Sequence, residues 1–220
     1  MKKKNKKTLI LGVSFIAIFV LWTLLVCVVD VKAIGPCESC VGFATLNGYI
    51  HNLIGVNMPL YVITDWLGIF PILVALGFAI LGIVQLINRK SLCKVDYSII
   101  TLGLFYIVVI TVYIFFELVV INYRPTLIDG YLESSYPSST TLLVMCIMPT
   151  AALQLHMRIK SKIFRQCAIG AITFFVVFMV VCRCLSGVHW ISDIIGSIIF
   201  STGIVLIYYS INNKDKTSNI

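Results

Sequence analysis

Six apolar runs, each close to the length that crosses a bilayer, limit what this chain can fold into. They fall at 9–29, 67–87, 97–120, 137–155, 167–182 and 191–211. A helix needs about 20 apolar residues to span roughly 30 Å of hydrocarbon. The expected fold is therefore all-α, a six-transmembrane helical bundle. Only 12% of the residues are charged and 60% are hydrophobic, with a mean hydropathy of +1.02. A soluble domain carries about 25% charged residues. The 220 residues leave room for a single membrane domain, 1–220, and no separate soluble one. The net charge of +8 would suggest nucleic acid in a soluble protein. Here an uneven distribution of loop charge explains it, and no nucleic-acid partner is expected.

Five of the first seven residues are lysines, and the first apolar run follows them. Val31-Lys-Ala33 resembles a signal-peptidase site, but the run exceeds the usual apolar core of roughly 7–15 residues. It is read as an uncleaved first span. Residues 30–66 form a mixed outer loop, with an interfacial or re-entrant helix expected around 46–63. Trp66 is expected at the interface where the second span starts. Residues 1–66 thus form a first span and outer loop, ahead of a core at 67–210. Of the eight cysteines, Cys27, Cys146, Cys167, Cys182 and Cys184 lie in or beside apolar runs, as small packing residues do. Cys37 and Cys40 form a lone C-x-x-C, which can be a disulfide, half a metal site or two thiols.

Charge fixes the expected orientation. The N-terminus, the 88–96 and 156–166 loops and the tail, with Lys214 and Lys216, together hold 14 of the 17 Lys and Arg. Lys32, Arg124 and Arg183 are the exceptions. The positive-inside rule then places both termini in the cytoplasm of a multi-pass cell-membrane protein.

On the outer side three short corners gather polar residues. One holds Arg124-Pro125. Another holds Pro137-Ser138-Ser139-Thr140, just before the fourth span. The third is Arg183-Cys-Leu-Ser-Gly-Val-His189-Trp-Ile-Ser-Asp193. An ionisable group at such a place costs a few kcal/mol unless paired or wet, about 3 by insertion scales. Two arginines aimed at one point suit a phosphate, which a guanidinium grips bidentately. The start of the fourth span adds a helix N-terminus, whose free N–H groups favour an anion. His189 can act as nucleophile or acid/base. Asp193, near one helical turn on, can hold its tautomer as a triad carboxylate does. Taken alone, the His189–Asp193 pair could equally be a helix cap, and Ser138 and Ser139 plain N-caps. His51 and His156 read as interfacial residues, and Phe115-Phe116 and Phe174-Phe175 as packing.

These residues resemble the type-2 phosphatidate phosphatase and vanadium haloperoxidase superfamily, whose motifs are K-x6-R-P, P-S-G-H and S-R-x5-H-x3-D. The third motif matches at Arg183, His189 and Asp193, with Cys182 in place of its leading Ser. The first matches at Arg124-Pro125, with Glu117 at the Lys position. The second matches at Pro137-Ser138, then departs at Ser139 and, in place of the His, at Thr140. The resemblance covers 67–210. It implies that His189 attacks phosphorus, Asp193 orients it, and Arg124, Arg183, Ser138 and Ser139 bind the phosphate. It implies a lipid phosphate or polyprenyl diphosphate as substrate, a phosphohistidine intermediate, and neither metal ion nor cofactor. Thr140 cannot donate the leaving-group proton that the family's His supplies. Glu117, Glu133 or Tyr136 could replace it. Glu117 lies two helical turns before Arg124, which predicts one shared face, and Glu117 reads more readily as a partner of Arg124 or Arg183. The alternative to an enzyme is a protein on the same scaffold that binds or transports phospholipids without turnover.

Overall fold

The computed structural model describes residues 2–212, with side chains from Asn5 onward. Lys214 and Lys216 lie outside the described residues. The helices in chain order are α1 (Lys2–Val28), α2 (Ala44–Ile54), α3 (Met58–Leu67), α4 (Ile69–Arg89), α5 (Tyr97–Leu118), α6 (Ser139–Arg158), α7 (Lys162–Leu185) and α8 (Ile191–Asn212). Among the described residues six helical segments are long and apolar enough to cross a membrane, with α3 and α4 counted as one stretch, Met58–Arg89. The chain is an all-α, six-span, multi-pass bundle. Between α1 and α2, β1 (Lys32–Ala33) pairs antiparallel with β2 (Cys40–Val41). Cys37 and Cys40, in this small hairpin, are exposed free thiols.

The loop between the first two spans departs from expectation. A single helix at 46–63 is replaced by two, because Gly55 (φ +69°) ends α2 and Asn57-Met58-Pro59 starts α3. The Asn57 side chain accepts from Leu60 N at 3.1 Å. The apolar helix of the second span, α4, begins at Ile69, and Trp66 lies in the last turn of α3 just before it.

α1 runs antiparallel along α8. Gly12 and Gly203 meet where the two helices cross: a Cβ on Gly203 would lie 3.1 Å from the Gly12 carbonyl and 3.0 Å from Phe15 Cβ. Small residues at a crossing let membrane helices approach and gain dispersion contact where no hydrophobic driving force exists. At the far end of the same pair, Trp22 Nε1 donates to Ser192 O at 3.1 Å. α6 packs between α7 and α8, α5 closes on α6 and α8, α3 rests on α7, and α2 on α8. Phe19 of α1 anchors the core, with ring centroids 5.8 Å from Phe116 and 5.1 Å from Phe200.

Asp96 stitches one end of the bundle, pairing with Arg89 at 2.7 Å and Arg158 at 3.5 Å. The start of α1 and the end of α8 share that end, since Gly12 packs on Ile207. The three polar corners, together with α2 and α3, occupy the other.

Candidate active site

The first corner is a hairpin excursion. After α5, residues 121–136 run out and back, bridged antiparallel at Tyr123–Ser134 and Ile128–Tyr131. Arg124 N donates to Glu133 O at 3.0 Å, and its Nε pairs with the Glu133 carboxylate at 3.1 Å. α5 ends at Leu118, so Glu117 and Arg124 do not share a helix face as the spacing predicts. Exposed Glu117 instead accepts from the Ser134 hydroxyl at 2.5 Å. Both side chains reach the returning strand of the excursion, at neighbouring residues.

The third corner needs a glycine. α7 ends with the Ser186 hydroxyl donating to Arg183 O at 2.7 Å. The chain then turns at Gly187 (φ +66°), where a Cβ would stand 1.8 Å from the Gly55 carbonyl. Backbone sign and clearance both require Gly there. Trp190 Nε1 donates to Tyr123 O at 2.7 Å, fastening this corner to the first. His51 packs its ring 5.3 Å from that of Trp190.

These fastenings bring Arg124, Arg183, His189 and Asp193 together. Asp193 is fully buried and accepts four hydrogen bonds. The donors are Asn122 Nδ2 (3.0 Å), Ser192 Oγ (3.1 Å), Ser135 Oγ (2.6 Å) and Trp190 N (3.2 Å). Such donors are what a buried carboxylate requires. The expected link between His189 and Asp193 runs through Ser135. Its hydroxyl donates to Asp193, so its oxygen accepts from His189 Nδ1 at 2.9 Å. The Ser135 carbonyl, which can only accept, lies 3.1 Å from the same nitrogen. Both contacts place the imidazole proton on Nδ1, so the lone pair is on Nε2. Nε2 accepts a long hydrogen bond from Arg183 Nη2 at 3.4 Å. Burial, then the charges of Arg124 and Arg183, hold the imidazole well below its ordinary pKa. His189 is therefore a neutral base at neutral pH.

Two buried guanidinium N–H groups, Arg124 Nη1 and Arg183 Nε, have no acceptor among the described residues. No side chain caps the first turn of α6, which leaves its leading N–H groups for an anion. The remaining sequence candidates divide. Ser138 is buried and committed inside the protein: its hydroxyl meets that of Thr141 at 3.0 Å, and its N–H donates to Asp193 O at 3.3 Å. Ser139 and Thr140, half-buried, open α6. Thr140 faces the α3–α4 junction, its methyl 3.3 Å from where a Cβ on Gly68 would stand. The substitute acids sit elsewhere: Glu133 is paired with Arg124. Tyr136 is buried, its hydroxyl 2.7 Å from that of Thr23 and pushed above its ordinary pKa by burial.

Sequence reasoning missed Ser135, Asn122 and one face of α3. Ser135 stands two residues before Pro137 and Asn122 two before Arg124, so proximity to the motifs was their only signal. Nothing in the spacing pointed to Tyr61, Thr64 or Asp65, which reach Arg183 from 119 residues away in the case of Thr64.

No protein-family model and no curated protein sequence matches this chain. A solved structure does: a transmembrane PAP2-type phosphatidylglycerolphosphate phosphatase from Bacillus subtilis. The match covers 94% of this chain and 96% of that one, with a TM-score of 0.58 at 16% identity. The chain has the PAP2-type phosphatase fold. That likeness is one of fold. The residues at the polar end carry the functional reading on their own chemistry.

Proposed function

We propose that this chain is a phosphatase of membrane lipids, acting on a lipid phosphate or a polyprenyl diphosphate at the outer leaflet of the cell membrane. Both termini face the cytoplasm in this reading, which rests on the loop charges. The observation that carries the reaction is the His189 ring: Nδ1–H is held by Ser135, and the Nε2 lone pair faces Arg183 through one long hydrogen bond of 3.4 Å.

Arg124 and Arg183 bind the phosphate oxygens, and their unpartnered buried N–H groups support that role. The first turn of α6, at Ser139 and Thr140, adds backbone donors. His189 Nε2 attacks phosphorus, and the bond from phosphorus to the leaving oxygen breaks. The imidazole becomes positively charged as the P–N bond forms, and Ser135 passes the stabilising charge of Asp193 to Nδ1–H. Water then attacks phosphorus, the P–N bond breaks, Nε2 regains its lone pair, and the water's proton leaves to solvent. With a diphosphate, the attacked group is the terminal phosphorus and a lipid monophosphate departs. That leaving group needs far less help from an acid than an alkoxide does, which suits a site with Thr140 in the acid position.

Purified protein in detergent is expected to release phosphate from such lipids, with release lost in His189→Ala and Arg183→Ala. Equal release by wild type and His189→Ala would end this reading. One observation favours the second reading, phospholipid binding or transport without turnover: both arginines already face a carboxylate, Glu133 and Asp65. That reading predicts lipid binding that depends on Arg124 and Arg183, with no phosphate released.

A further inference from the structure

Both phosphate-binding arginines converge on a single side chain of α3. The Tyr61 ring centroid lies 4.9 Å from Arg183 Cζ and 5.7 Å from Arg124 Cζ. One helical turn on, Thr64 accepts from Arg183 Nη1 at 3.2 Å, and Asp65 stands 3.8 Å from Arg183 Nη2. α3 is fixed to the site at both ends. Asn57 N donates to Ser186 O at 2.9 Å beside the third corner, and Gly68 meets Thr140 at the start of α6. The helix thus stands against both arginines of the site.

We infer that α3 forms the fourth wall of the phosphate site. Asp65 is the internal anion that an incoming phosphate displaces from Arg183, and it sets how much negative charge a head group can carry. This rests on the phosphatase reading above and adds residues that lie outside all three motifs.

The burial of the two partners is unequal. The Arg183 side chain is 1% exposed and that of Asp65 57%. Arg183 stays at the floor of the site, held by Thr64, whose hydroxyl donates to the Leu60 carbonyl at 2.8 Å. Asp65 stands at the mouth, where it can turn to water. At 3.8 Å the pair is long and its carboxylate partner is screened by water, so the contact is weak and readily exchanged. A phosphate between two buried guanidinium groups makes charge-assisted, bidentate contacts, which are stronger. After the exchange, the Asp65 carboxylate remains at the rim. There it repels a second phosphate on the head group more than it repels a single one. Tyr61 offers the face of its ring to both guanidinium groups and carries no charge for the phosphate to displace.

The test measures binding of inorganic phosphate and of pyrophosphate to full-length protein in detergent, by calorimetry. Wild type, Asp65→Asn, Asp65→Glu and Arg183→Ala are compared. Asp65→Asn is expected to bind phosphate about fivefold more tightly. It should gain more for pyrophosphate than for phosphate, while Asp65→Glu behaves as wild type. A merely structural Asp65 would give weaker binding in Asp65→Asn together with a lower unfolding temperature. That result, or unchanged affinity, overturns the inference while leaving the phosphatase reading standing. If folded wild type and Asp65→Asn both bind neither anion, the anion site itself is absent and both fall together.

Discussion

His189 and Asp193 are joined through a hydroxyl: Ser135 donates to the carboxylate at 2.6 Å and accepts from the imidazole Nδ1–H at 2.9 Å. The sequence places the two a helical turn apart, but His189 lies in the bend before α8 and Asp193 inside it. The third group closes the gap that results. The orienting unit is therefore a three-member chain drawn from two corners.

Ser135→Ala breaks that chain without touching the phosphate. It should lower kcat roughly 10²-fold, the low end for losing assistance to proton-linked chemistry, with KM little changed. Ser135→Thr should recover most of the rate. Steady-state kinetics on a lipid phosphate check this. A matched rise in KM would instead show that Ser135 shapes binding.

The pH dependence follows from the His189 surroundings. Burial and the two arginines hold its folded pKa below the ordinary value near 6.5. Between those two values the unfolded chain binds the extra proton and the folded one does not. The stability tied to His189 is thus complete above about pH 6.5 and lost as the pH falls toward the folded pKa. The acid limb of kcat/KM, which reports the free protein, should lie below pH 6.5. In Arg183→Lys, where the charge stays and the fork is lost, that limb should hold its position while the rate drops.

The contact between Gly12 and Gly203 holds α1 to α8. Gly203→Leu places a side chain where Phe15 and the Gly12 carbonyl already stand. Overpacking of this kind costs about 1–3 kcal/mol. A lowered unfolding temperature in detergent is expected. Gly77→Leu serves as the control, because nothing lies within 4 Å of a Cβ there.

Thr140→His places a titratable group at the start of α6, next to the proposed anion site. It should raise turnover of monoesters at least about tenfold, since a positioned acid typically contributes 10²–10⁴-fold. Diphosphate turnover should change less. The comparison is a ratio of kcat/KM values for matched mono- and diphosphate lipids.

The six spans were legible because each apolar run comes close to the length that crosses a bilayer, and hydrocarbon leaves the backbone few alternatives. Arg183, His189 and Asp193 were legible because charge inside an apolar stretch is conspicuous. What failed was local geometry. Counting helical turns from Glu117 to Arg124 assumed a helix that ends at Leu118, and the 46–63 segment hid a break at Gly55. The α3 wall could not be seen at all: Tyr61, Thr64 and Asp65 meet Arg183 on a helix fastened to the α7–α8 corner through Asn57 and Ser186 and to the start of α6 through Gly68 and Thr140. Contacts of that range leave no periodic trace in the chain.

Rapid mixing with a lipid carrying a labelled terminal phosphate, followed by a quench, tests the reaction most directly. The label should appear on His189 of the wild type as an acid-labile, alkali-stable phosphohistidine, decay as phosphate is released, and be missing in His189→Ala. Phosphate released at full rate with no label on His189, or label found on another residue, would contradict it.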